Sequence, residues 1–243
     1  MCGRYSLTSQ SYDKFVEFMD MGYPFQVPSR FNIAPSQPVA VIRLKGSDQD
    51  QSIIPDQPLP EREGALMRWG LVPHFAKEIK MDRPLINARS ETIADKPSFR
   101  GPFRRRKCLV PADGFYEWKR GGASPIPYHI CLQDREAFTF AGIWEAWTGP
   151  DGEDWLETVS LVTKEANGAV KKIHHRSPVI IEPQDYDLWL RPQDPPDRKI
   201  FDKLSTAIDH KLEMFEVSPF VNSARNDGDD CIKPATKDQF KLF

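Results

Sequence analysis

The chain has 243 residues, 40% of them hydrophobic and 11% aromatic, with 33 Lys/Arg against 35 Asp/Glu and a formal net charge of −2. That is enough apolar material for a sizeable core in one large domain or two small ones. It excludes a bilayer-spanning helix, since no apolar run approaches the roughly 20 residues required, and the first residues lack a signal-peptide pattern. A soluble, cytoplasmic or nucleoid-associated protein is expected.

The near-neutral total hides an asymmetry. Residues 1–120 hold 19 Lys/Arg against 14 Asp/Glu, whereas residues 121–243 hold 14 against 21. A basic front on an acidic body suits one localised anion-binding face. The four cysteines (Cys2, Cys108, Cys131, Cys231) are scattered. None has zinc spacing, so neither a metal nor another cofactor is expected. Cys108 and Cys131 stand in apolar strand-like runs and read as small core residues.

In chain order, Cys2 comes first, directly after Met1. Removal of Met1 would leave Cys2 with a free α-amine and a thiol on adjacent carbons, titrating at about 7.7–8.0 and 8.5 when unperturbed. A 1,2-aminothiol captures an aldehyde as an imine, and the sulfur then closes a stable thiazolidine. Tyr12, Phe15, Val16 and Met19 fall at helical spacing, with Thr8, Ser9 and Ser11 as candidate N-caps. Residues 39–44 read as a strand, and the Pro-containing stretch 46–64 as a long loop. Strand-like runs follow at 108–110, 128–132, 137–143, 158–163 and 179–181, and helical patterns at 185–190 and 197–208. With 22 prolines, many short strands are favoured over long helices. These elements predict an α+β fold with a largely antiparallel, barrel-like sheet and flanking short helices. The expected layout is a single domain over 1–235 and a tail over 236–243.

Four polar motifs interrupt apolar surroundings: Arg30-Phe31-Asn32-Ile33-Ala34-Pro35, Leu85-Ile86-Asn87-Ala88-Arg89-Ser90-Glu91, Pro111-Ala112-Asp113-Gly114-Phe115-Tyr116-Glu117-Trp118 and Ile173-His174-His175-Arg176-Ser177-Pro178. Singly, each has a plain alternative. Asn32 and Asn87 suit turns, Glu117 suits the solvent face of a strand, and the basic run Arg104-Arg105-Arg106-Lys107 suits a solvated surface.

Taken in order with Met1-Cys2-Gly3-Arg4-Tyr5, Arg68-Trp69-Gly70-Leu71-Val72-Pro73 and the Val217-Ser218-Pro219-Phe220-Val221-Asn222 segment with Asn226, the motifs resemble the SOS-response-associated-peptidase family of abasic-site processing proteins. The resemblance runs from Met1 to about Pro234. The long 46–64 loop and a second histidine, His175, depart from the family pattern.

The resemblance implies that Cys2 crosslinks to the ring-opened aldehyde of an abasic site in single-stranded DNA, with Asn87, Glu117 and His174 around it. Glu117, between Tyr116 and Trp118, would shuttle a proton on and off the amine. His174 would protonate the sugar ring oxygen, and Asn87 would orient the Cys2 backbone or the sugar. Arg4 and Arg89 are candidate phosphate clamps, and Asn32 and Pro35 candidate pocket walls. Trp69 would stack on a base or pack in the core. The protein is expected to act as a monomer, without membrane or metal. The rival readings are a cysteine-type peptidase or amidohydrolase using Cys2, a non-catalytic single-strand binder, and an amine-only lyase.

Overall fold

The computed structural model describes residues 2–18, 26–47, 58–79, 84–122 and 124–235. Met19, the centre of the 46–64 loop and the expected 236–243 tail lie outside the described residues.

The described chain runs β1 (Tyr5–Leu7), α1 (Ser9–Phe18), β2 (Arg30–Ile33), β3 (Pro38–Leu44), β4 (Arg62–Trp69), β5 (Asn87–Arg89), α2 (Pro97–Arg105) and β6 (Lys107–Ala112). It continues through β7 (Gly114–Lys119), β8 (Ile126–Leu132), β9 (Phe138–Trp147), β10 (Leu156–Glu165), β11 (Arg176–Pro178), β12 (Ile180–Ile181), α3 (Tyr186–Leu190), α4 (Ile200–Lys203) and β13 (Leu212–Glu216). One sheet has the order β13-β8-β7-β1-β2 and is antiparallel throughout. In the other, β3, β4, β10, β9 and β6 pair in a closed circuit, so the expected barrel-like core is present. Its parallel pairs are β10 with β4 and, further along β10, with β5.

Side-chain alternation explains the layering. Cys108, Val110, Phe138, Phe140 and Trp144 join Tyr5, Leu7, Phe115 and Ile130 in the core between the sheets. Their neighbours Leu109, Ala141 and Ile143 face the other way, against Phe99, Phe103, Trp189 and Ile200 of the helices. Buried on both faces, β6 and β9 read as nearly continuous apolar runs. Gly142 permits the close approach of β6: a Cβ there would sit 2.7 Å from Cys108 Sγ and 3.0 Å from Val110 Cγ2.

Helix α1 carries the expected Tyr12–Phe15–Val16 face, and Thr8 caps it by accepting the Ser11 amide at 3.3 Å. Helix α2 escapes sequence reading because Gly101 and Pro102 sit inside it. Its Phe99, Pro102 and Phe103 nevertheless form a buried stripe at helical spacing. The basic run that follows is not simply solvated. Arg106 Nη1 reaches Glu145 at 2.8 Å, and buried Lys107 donates to Arg191 O at 2.8 Å between the rings of Phe103 and Trp189. The pattern at 197–208 is shorter than a full helix: it resolves into α4 and a 3-10 turn over Ala207–Lys211. Residues 62–64, expected in the loop, already belong to β4.

Candidate active site

The site forms where the amino terminus runs beside β7. Tyr5 lies opposite Phe115 and Ser6 opposite Gly114, and the Tyr116 amide donates to Arg4 O at 3.0 Å. This register lays residues 2–4 alongside 116–118. Gly114 permits the close approach of His129 from β8, since a Cβ there would meet its Nε2 at 2.1 Å. Along β7, Phe115 and Glu117 face the core between the sheets. Tyr116 and Trp118 face a separate cluster with Val217, Val221 and Cys231. Glu117 is therefore desolvated by the sheet interior, and its sequence neighbours Tyr116 and Trp118 lie on the opposite face. Burial pushes its carboxyl above the ordinary carboxylate range.

Strand β5 brings Asn87 in from the second sheet. Asn87 sits opposite Leu161 of β10 and donates its amide to the Cys2 carbonyl at 2.8 Å. Its Oδ1 is buried and has no hydrogen-bond partner among the described residues. Arg89, two residues on, shares that strand face and is exposed.

His174 follows the 3-10 turn Val170–Lys172, whose Val170 O accepts its amide at 2.9 Å. The imidazole Nδ1 lies 3.0 Å from the Arg176 amide and 3.7 Å from Glu117 Oε1. Nδ1 also lies 3.1 Å from the Arg176 carbonyl, so it accepts from the amide when the ring proton is on Nε2 and donates to the carbonyl when the proton is on Nδ1. Desolvation lowers the affinity of His174 for a second proton. Burial thus pushes the carboxyl up and the imidazole down, bringing their proton affinities closer together. Burial also pushes the Cys2 thiol well above the usual thiol range, and its contact is the Arg4 carbonyl, at 3.8 Å.

The structure thus brings Asn87 onto Cys2 and His174 beside Glu117, whose carboxyl acts electrostatically on the Cys2 thiol. The expected DNA contacts divide. Trp69 is fully buried, edge-on to Tyr5, with Nε1 donating to Ile86 O at 3.0 Å. Packing, not base stacking, is its role, since neither face of the ring is accessible. Asn32 is also fully buried. Its amide nitrogen reaches the carbonyls of Val221, Ser223 and Asn226 at 2.7–3.1 Å and its Oδ1 accepts from Arg4 Nη1 at 2.7 Å. It ties the C-terminal segment to β2 and reaches no external ligand. Arg4 Nη1 also donates to Val221 O at 3.0 Å, so this edge of the guanidinium is used inside the fold. Pro35 is partly exposed, in the turn closed by Gln37 N–H on Ala34 O.

Sequence reading missed one contributor. Arg176 makes a fork to Glu91 at 2.6 and 2.9 Å and donates to Thr163 O at 2.7 Å, fixing the histidine loop to β10. Phe75, in the loop after the Trp69 motif, is 56% exposed.

The model of the SOS response associated peptidase (SRAP) family matches residues 1–224. The chain belongs to this family. Among similar proteins, the abasic site processing protein YoqW of Bacillus subtilis is 36% identical over 96% of this chain and 99% of its own length. YoaM of the same organism, named likewise, is 36% identical over 93% and 95%. The abasic site processing protein HMCES of Gallus gallus is 35% identical over 69% of this chain and 56% of its own. A crystal structure of a Bacteroides thetaiotaomicron protein superposes with a TM-score of 0.76 at 24% identity, covering 97% of this chain and all of that one. That likeness shows that the two chains share the α+β fold. Among the described residues, no helix is long and apolar enough to cross a membrane, and no group of three His, Cys, Asp or Glu side chains is placed to hold a metal ion.

Proposed function

We propose that this chain processes abasic sites by capturing the ring-opened deoxyribose aldehyde on Cys2, in single-stranded DNA. Family membership and the names of its relatives support the substrate class. The observation that carries the reaction is the Asn87 amide bonded to the Cys2 carbonyl, with Glu117 and His174 alongside. Asn87 fixes the backbone from which the α-amine projects once Met1 is removed.

The buried thiol is held protonated, so the amine attacks first. Amine addition to the aldehyde gives a carbinolamine, with Glu117 taking the proton shed by nitrogen. As the hemiacetal opens, His174 gives a proton to the ring oxygen and recovers the one shed by the anomeric hydroxyl. The two protons that nitrogen then sheds to Glu117 pass through His174 to the aldehyde oxygen, which leaves as water. The thiol then adds across the imine: sulfur bonds to carbon and its proton goes to nitrogen. Atoms and electrons balance without metal, nucleotide or oxidant. The orphaned Asn87 Oδ1 is suited to accept from a sugar hydroxyl.

Arg89, exposed on the Asn87 face, is the phosphate contact this reading favours. Phe75 replaces Trp69 as the base-stacking candidate. The peptidase reading requires a thiolate poised by an imidazole, and the Cys2 thiol instead contacts a backbone carbonyl.

Intact mass spectrometry of untagged protein with a single-stranded oligonucleotide holding one abasic site tests this. The expected product is protein without Met1 plus oligonucleotide, less one water, stable to heat and absent in Cys2→Ala. A mature Cys2 terminus that yields no adduct would sink the proposal.

A further inference from the structure

The second histidine of the Ile173-His174-His175-Arg176 motif has no part in the reaction as described. Its ring is exposed, and it stacks on His174 with centroids 4.4 Å apart and planes tilted by 33°. Resting on the function proposed above, we propose that His175 is a positioning residue. Its charge acts on the Glu117–His174 pair and thereby sets the acid limit of adduct formation.

Two unit charges about 4 Å apart repel by roughly 1 kcal/mol even in bulk water. Only one of the stacked rings is therefore readily cationic at a time, and the exposed ring is the one the solvent reaches first. The surroundings weigh on both rings. Arg176 on β11, Arg89 on β5 and Arg120 beyond the end of β7 all oppose a positive charge on the pair, Arg176 on both rings, Arg89 on His175 and Arg120 on His174. Glu91 partly offsets Arg176 through its two-point contact. From β7, Glu117 faces Nδ1 of His174 at 3.7 Å and draws charge toward it.

When His175 takes a proton in mild acid, it disfavours a second positive charge on His174. It also favours the ionised form of Glu117. Glu117 then stays ionised, able to take the proton shed by the amine, to lower pH than it would without His175.

Rates of adduct formation on the abasic oligonucleotide, followed from pH 5 to 8 for the wild type, His175→Gln and His175→Phe, test this role. Both variants should move the midpoint of the acid limb upward by roughly half a pH unit, with plateau rates at pH 8 within about twofold of wild type. Phe keeps a stacked ring without a charge. If His175→Phe restores the wild-type profile, stacking alone is the role and the proposal fails; unshifted profiles in both variants also overturn it.

A ¹⁵N titration of His174 in Cys2→Ala, with and without His175→Phe, reads the same coupling without the reaction. His174 should titrate higher in the double variant, and an unchanged midpoint refutes the coupling. Absence of adduct in the wild type would instead count against the proposed function, and the titration would still decide this inference.

Discussion

Glu117 shows how one residue serves reaction and stability in opposite directions. Its carboxyl is buried at 3% exposure and its pKa is raised by desolvation. The unfolded chain ionises it near the ordinary value of about 4.3, and the folded chain holds the proton to higher pH. Below the unfolded pKa the group costs nothing; as pH rises through the window up to the folded pKa, folding loses stability because a charge must be desolvated. Glu117→Gln removes that loss. The variant should melt higher than wild type at pH 8, with the gap shrinking at pH 5. Adduct formation should fall about 10²–10⁴-fold, the usual scale for a lost proton-transfer group. Calorimetry at the two pH values with single-turnover adduct kinetics checks both halves. An equal melting difference at both pH values would show that ionisation of Glu117 is not the source.

Among the elements, those whose pattern is local were legible in the sequence. The Tyr12–Phe15–Val16 stripe announced α1, and the apolar runs announced β3, β6, β8, β9 and β10. Short edge pieces such as β1, β2, β5 and β13 carry too few residues for periodicity and exist because a neighbouring strand pairs with them. The site was legible as residue types in motifs, and their convergence follows from pairing across two sheets. What motifs do not disclose is burial. Asn32 and Trp69 have the same polar and aromatic chemistry as ligand-binding groups, and only the tertiary fold turns them inward.

Asn32 is also the fastening of the C-terminal segment, together with Asp227, which accepts from the amides of Phe31 and Asn32 at 2.6 and 3.0 Å. Asn32→Ala removes bonds to three carbonyls and to Arg4 in a buried place. A loss of about 3 kcal/mol is expected, the scale of a few buried groups left unsatisfied. Urea titration measures the loss. Limited proteolysis should cut first within 217–235, and cleavage beginning elsewhere would show that this segment is held by other contacts.

At the scale of the whole molecule, a net charge of −2 gives no general attraction for nucleic acid, so affinity for an intact strand must come from a few cations near the site. Arg89 is exposed on β5, and Arg120 and Lys172 are exposed beside the strand and turn that carry Glu117 and His174. Most other exposed cations with recorded contacts, such as Lys14, Lys45 and Lys233, sit opposite carboxylates. Each phosphate neutralised on a single strand contributes about −0.7 to the slope of log K against log salt concentration. Three cations give a slope near −2, hence weak binding that fades at physiological salt. Under the proposed reaction, commitment to damaged strands comes from the covalent step and not from grip. Arg89→Ala in a Cys2→Ala background should make the slope shallower by about 0.7 on any sequence, as read by fluorescence anisotropy with an undamaged oligonucleotide. A slope unchanged by this substitution would place the strand on another face. A wild-type slope far steeper than −2 would mean that the acidic half of the chain does not limit binding, and that a wider basic surface is in contact with the DNA.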